Sequence, residues 1–176
     1  MNPHATVQPE NTMNAFYFSS LVISALLTGL SAGLFYSYSC SVNPGLGKLG
    51  DNEYLRAMQE INKAILNPAF FTSFMGSVVM LVLATWLSYS GQHAFQLKML
   101  LTATVIYLVG VFGLTVTGNV PLNEALAGFD IGGASATEIA QQRKLFEQPW
   151  NKFHAIRTFC SFAAFVFTLL SFYKLK

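Results

Sequence analysis

The sequence predicts an all-α integral membrane protein: a four-helix bundle with one amphipathic helix on the side of its longer loops. Three observations predict it. Of the 176 residues, 53% are hydrophobic and only 10% are charged, against about 25% charged in soluble domains. Four apolar stretches, at roughly 16–38, 69–89, 99–117 and 153–173, each approach the ~20 residues that carry a helix across a hydrocarbon core. None of the four contains Asp or Glu. Residues 1–176 therefore read as one membrane domain.

The first fifteen residues lack a basic region, and the apolar stretch behind them is too long for the core of a signal peptide. Span one thus reads as a retained anchor. It contains Gly29-Leu-Ser-Ala-Gly33, continued by Ser37. Small residues at that spacing let helices approach closely, either within the bundle or across a homo-oligomer face.

In the 40–68 connection, Gly45, Gly47 and Gly50 mark turns. From Asp51, DNEYLRAMQEINKAIL places Tyr54, Leu55, Met58, Ile61 and Ile65 at helical spacing. That predicts an amphipathic helix over the bundle or at the membrane interface. Asn67-Pro68 sets the start of span two. After span three comes GNVPLN at 118–123. There Asn119 and Asn123 read as caps for free backbone groups, and Pro121 reads as the helix stop. Ser135, three residues before Glu138, fits a capping box for a short helix ending before Pro149.

A net charge of +2 argues against a nucleic-acid partner. Lys98, Lys174 and Lys176 lie in the short segments on the side of the termini, opposed only by Glu10; the loop side carries seven basic and seven acidic residues. Counted as density in short segments, the positive-inside rule puts the termini in the cytoplasm. Cys40 and Cys160 have no CxxC spacing. They read as two small apolar side chains, or as a disulfide if their helix ends touch.

The functional candidates all fall on the loop side. Tyr36, Tyr38 and Asn43 end span one, Gln59 and Asn62 lie on the loop helix, and Asn67 begins span two. Asn119 and Asn123 follow span three, and Trp150, His154 and Arg157 begin span four. Trp150, His154, Arg157 and Ser161 follow i, i+4, i+7 and i+11, one stripe that can face the bundle. Each member also has a plainer role: Trp150 and the tyrosines as interfacial anchors, Arg157 snorkelling to headgroups, His154 as a satisfied polar group. A metal centre finds little support, because His4 and His93 fall across the bilayer from His154 and no HxxxH, HExxH or CxxC pair exists. Glycine-rich nucleotide loops are absent, a serine triad lacks a buried acid, and no span carries the acid a proton-coupled transporter uses.

At these residues the chain resembles the anthrone oxygenase family of small membrane proteins. The resemblance runs over roughly residues 20–170, through AGLFYSYSCSVNPGL at 32–46, MQEINKAILNP at 58–68, GNVPLNEAL at 118–126 and W-x-x-x-H-x-x-R-T at 150–158. It implies a four-helix membrane bundle and a membrane oxygenase, since fungal relatives oxidise polyketide anthrones to anthraquinones with dioxygen. The partners implied are a small hydrophobic aromatic molecule and membrane lipid. An anthrone is a phenolic ketone with an acidic C–H, and its anion can itself reduce dioxygen. In that reading His154 is the base and Arg157 stabilises the oxyanion. Asn119 and Asn123, with Asn43 or Asn67 nearby, orient oxygen substituents, while Trp150, Tyr36 and Phe35 stack on a ring. No flavin, haem or metal is required. Two other readings stay open. One is a non-catalytic membrane module that binds a lipid or quinone or serves as an assembly partner. The other is a metal-dependent oxidase with His154 and Cys40 as ligands.

Alternating short and long connections place the 90–98 turn and the 118–135 loop on opposite faces of the membrane. Cysteine-accessibility labelling of single-cysteine variants should find opposite accessibility at the two positions; the same side for both would break the four-span topology.

Overall fold

A computed structural model describes residues 15–173 and 175 of the chain. The residues behind the retained-anchor reading, with His4, Glu10, Lys174 and Lys176 of the charge and histidine arguments, lie outside the described residues. Five helices follow in order: α1 (Ala15–Leu46), α2 (Asp51–Ala64), α3 (Pro68–Ser90), α4 (Ala94–Ala127) and α5 (Ala136–Leu170). All but α2 are long and apolar enough to cross a membrane. In the bundle α1 packs on α3 and α5, and α4 packs on α3 and α5, so the four spans close a ring.

Packing in lipid cannot rest on apolar burial alone, because the tails outside are as apolar as the side chains inside. The bundle therefore carries a polar seam. Tyr17 hydroxyl meets Ser88 Oγ at 2.8 Å, joining α1 to α3. Tyr107 of α4 donates to Phe74 carbonyl and Ser31 Oγ, both at 3.1 Å. Thr85 and Thr104 meet at 2.9 Å between α3 and α4. Other buried hydroxyls, such as Ser24, Thr28, Ser77 and Thr168, donate to carbonyls one turn back in their own helix and leave no unmet polar group. Small residues set the approach. Gly29 faces Phe165 of α5, whereas Gly33 looks onto open space on the lipid side. Gly110 lies against Cys160, and a methyl there would collide with it. Both cysteines are free thiols.

Two helices run further than the sequence predicts. Pro121 does not stop α4. The stretch Thr115–Asn119 winds as a wider π-helical turn, and a new helical segment starts at Val120 with Pro121 in its first turn, where proline's missing N–H costs nothing. Asn119 and Asn123 are consequently not caps. Likewise the Ser135–Glu138 capping box forms, but the helix it opens continues through Pro149 into span four as one 35-residue element. At ~1.5 Å per residue α5 is roughly 50 Å long, well beyond the ~30 Å hydrocarbon core. Its first half projects out of the membrane.

The amphipathic helix α2 docks on that projection. Tyr54, Leu55 and Met58 pack with Leu126, Ile131, Ile139, Phe146 and Trp150 in a second core. Arg143 of α5 clamps the preceding loop. It pairs with Asp51 at 3.0 Å and Glu147 at 2.7 Å and donates to the carbonyls of Leu49 and Gly47. Its guanidinium lies 4.4 Å from the Tyr54 ring centre. Burial, with Glu147 nearby, pushes the Tyr54 phenol well above its ordinary range, so it stays neutral.

Gly118 is the second close approach. A Cβ there would lie 2.8 Å from the Phe153 ring. Gly118→Val and Gly110→Val are both expected to destabilise the bundle by about 1–3 kcal/mol, the usual cost of overpacking. Gly33→Val, in open space, should cost far less. Unfolding titrations in mixed micelles check the ranking.

Candidate functional site

Where α1, α4 and α5 diverge toward the loop side, they leave a cavity of about 110 Å³, roofed by α2. Its walls are Leu34, Phe35 and Tyr38 from α1 and Thr115, Asn119, Val120 and Asn123 from α4. Trp150, His154 and Arg157 come from α5. Ile61 and Asn62 close it from α2, with Ile65 and Leu66 from the link that follows and Phe70 from the start of span two. The predicted stripe on α5 is buried throughout, from Trp150 through His154 and Arg157 to Ser161.

Arg157 dominates the electrostatics. It is 7% exposed, and among the described residues no carboxylate lies within ion-pair distance of it. Instead it sits 4.4 Å above the Phe35 ring and 5.6 Å from the Trp150 ring centre. Its Nη2 meets His154 Nδ1 at 2.9 Å and its Nη1 reaches Thr115 Oγ1 at 3.4 Å. Its Nε has no partner.

His154, 2% exposed, is held on every side. Trp150 stacks on it at 5.1 Å with an interplanar angle of 11°, and Phe35 and Tyr38 flank it at 6.1 and 5.5 Å. Its Nε2 meets Ser39 Oγ at 3.0 Å. The asparagines in turn hold Trp150. Asn123 Oδ1 accepts from the indole N–H at 2.9 Å, and Asn119 Nδ2 donates to the Trp150 carbonyl at 3.3 Å.

Two further polar atoms on the wall are unpartnered: Asn119 Oδ1 and Asn62 Nδ2. With Arg157 Nε they offer two donors and one acceptor to whatever enters. A buried polar atom left without a partner costs about 1–3 kcal/mol, and all three belong to residues that line this void.

The structure thus brings Asn119, Asn123, Trp150, His154 and Arg157 together, and does not bring Tyr36, Asn43 or Asn67 to the same wall. Tyr36 is 62% exposed, because the core-facing residue of that turn is Phe35. Asn43 lies beyond the π-helical turn Tyr38–Val42, in the helical turn Asn43–Leu46. Asn67 is spent as the N-cap of α3, accepting from Phe70 N–H at 3.0 Å. Ser39, Thr115 and Thr158 were not singled out. Thr158, four residues after His154, was findable from spacing. Ser39, four residues after Phe35, and Thr115, four before Asn119, share a helical face with those residues by the same spacing. Among the described residues, no three of His, Cys, Asp and Glu converge.

Residues 69–167 match the family described as Anthrone oxygenase. The match covers more than half of the chain, including spans two and three, most of span four and every α4 and α5 residue of the cavity wall, so the chain belongs to the anthrone oxygenase family. No curated protein and no solved structure matches the chain at a significant level.

The roof is fixed by one side chain as well as by its apolar face. Gln59 Nε2 donates to the carbonyls of Leu126 and Phe129, at 2.9 and 3.1 Å. Gln59→Ala removes both bonds, each worth about 0.5–1.5 kcal/mol. Hydrogen exchange should then speed up across residues 51–64 and stay unchanged in the spans. Equal exchange in both proteins would mean that apolar packing alone holds the roof.

Proposed function

From this membership, we propose that the protein is a membrane oxygenase that acts on a phenolic, anthrone-like polycycle with dioxygen, in the cavity beneath α2. One observation carries the reading: a buried guanidinium with no carboxylate partner and a free N–H, facing an apolar aromatic slot. An unpaired buried cation is expensive. A guest that becomes anionic there regains that cost, and does so most in the state where its charge is greatest.

The donor and acceptor pattern narrows the guest. Arg157 Nε–H and Asn62 Nδ2–H ask for an oxygen that accepts; Asn119 Oδ1 asks for a hydroxyl that donates. A phenol carrying a carbonyl supplies both. A quinone only accepts and leaves Asn119 unmet.

In this reading a substrate oxygen competes with His154 Nδ1 for the Arg157 N–H groups. That frees the Nδ1 lone pair, which takes the proton from the acidic C–H of the central ring. The carbanion, delocalised onto an oxygen held by Arg157, gives one electron to dioxygen. The carbon radical and superoxide combine to a peroxide anion, which recovers the proton from His154. Loss of water leaves the ketone, with one oxygen atom in the product and the other in water. The protein supplies a base, a fixed cation and a dry slot; the electrons come from the substrate. A void of 150 Å³ holds benzene, so a three-ring substrate needs more than the present 110 Å³. Ile61, Ile65 and the 66%-exposed Leu66 are the side chains that give way. The termini face the cytoplasm in this reading, from the lysine density beside them.

Purified protein in nanodiscs should consume dioxygen in step with a phenolic anthrone. His154→Ala should cost about 10²–10⁴ in turnover, the range for losing a general base. Arg157→Lys keeps the charge but loses the planar fork and should be impaired too. Near wild-type rates in both variants would reject the site. Saturable anthrone or quinone binding with no oxygen uptake would favour a binding module instead.

A further inference from the structure

We propose that Ser39 is a positioning residue for His154, keeping the imidazole proton on Nε2 when Arg157 turns from the ring to a guest. The inference rests on the function proposed above, but its physical content does not depend on turnover. Ser39 is absent from the cavity wall. It stands behind the ring, on the nitrogen opposite Arg157.

The argument follows a chain of hydrogen bonds whose two ends each allow one direction. At one end a guanidinium can only donate. His154 Nδ1, 2.9 Å from Arg157 Nη2, is therefore the acceptor. At the other end a backbone carbonyl can only accept. The Thr158 hydroxyl donates to the His154 carbonyl at 2.8 Å, which leaves Thr158 Oγ1 as an acceptor.

Ser39 Oγ lies between, 3.0 Å from His154 Nε2 and 3.1 Å from Thr158 Oγ1. Its one proton goes to Thr158, and its lone pair receives Nε2–H. Reversing Ser39 would need a lone pair on Nε2 and a proton on Nδ1, pointing an N–H at the guanidinium. The direct Thr158–Nε2 contact is longer, at 3.4 Å. Phe35, Tyr38 and Ser39, at i, i+3 and i+4, share one face of span one and meet the same imidazole.

The consequence is functional. With Nε2 occupied, the only lone pair of the ring faces Arg157 and the cavity, which is where a substrate proton would arrive. While Arg157 donates to Nδ1 it enforces the same tautomer; once a substrate oxygen draws the guanidinium away, Ser39 is the partner that keeps the proton on Nε2, and a ring protonated on Nδ1 cannot act as the base.

The test uses the full chain in nanodiscs with ¹⁵N-labelled histidine. The His154 signals are assigned by their loss in His154→Gln. Wild type should show one protonated Nε2 and one unprotonated Nδ1. In an Arg157→Leu background, where no guanidinium faces Nδ1, the same pair should persist; adding Ser39→Ala should move both shifts toward an exchange-averaged pair, and Ser39→Thr in its place, which keeps the hydroxyl, should restore them. Turnover should fall about 10–100-fold in Ser39→Ala, the usual cost of losing a partner that orients a functional histidine, with KM little changed, and should recover in Ser39→Thr. A protonated Nδ1 in wild type overturns the proposal, as does a tautomer that Ser39→Ala leaves unchanged once Arg157 is replaced. A wild type with the expected tautomer and no anthrone turnover would support the role of Ser39 and reject the oxygenase reading.

Discussion

The buried charge of Arg157 is the constraint on which the rest of the structure depends. Translocon scales put an arginine at the centre of a spanning helix at about 2.5–3.5 kcal/mol. This one sits near a helix mouth, which lowers the cost, but it is directed inward and has no carboxylate among the described residues. Its neighbours compensate without neutralising it. Two aromatic faces supply cation–π contact, and His154 Nδ1 and Thr115 Oγ1 supply neutral acceptors. The charge is held in place and left available, which differs from an arginine that serves only to tie helices together. Arg143, on the same helix, is the contrast. It satisfies two carboxylates and two carbonyls, and it locks a loop.

Holding such a residue needs a bundle that is rigid in lipid without a hydrophobic drive between its helices. Tyr17–Ser88, Tyr107–Ser31 and Thr85–Thr104 pin the spans at several depths. Gly110 and Gly118 let α4 press against α5, next to Cys160 and Phe153. Two turns after Gly110, α4 widens at Thr115–Asn119, and Thr115 and Asn119, four residues apart on one face, both line the void. π-helical turns are thermodynamically poor and recur at functional sites. Here one in α1 and one in α4 flank the same imidazole and guanidinium.

The spans were legible because a 20-residue acid-free run has few alternatives in a chain so poor in charge. The α5 stripe was legible because it obeys an unbroken 3.6-residue period, and α2 because Tyr54, Leu55 and Met58 recur on one face. Pro121 and Pro149 misled for a physical reason. Proline stops a helix only where the lost hydrogen bond and the ring clash are not absorbed, and a first-turn position absorbs both at Pro121. Tyr36 misled because residue type alone placed it at the mouth, whereas helical phase turns Phe35 inward and Tyr36 out. Ser39 and Thr115 share a helical face with Phe35 and Asn119, but a hydroxyl in a span bonds its own helix so often that type and spacing alone do not mark it as a site residue.

Asn119 and Asn123 carry the last step. Both sit in the GNVPLN segment, and both spend one side-chain atom on Trp150. The indole they fix then stacks on His154, whose Nδ1 faces Arg157. The asparagines thus reach the imidazole and guanidinium through an aromatic plate. Of the two, Asn119 alone keeps a buried atom, Oδ1, without a partner. Asn123 therefore fixes the indole, whereas Asn119 fixes the Trp150 backbone and keeps an acceptor unspent. The distinction is invisible in two identical residues four apart and follows only from which amide atom each has left over.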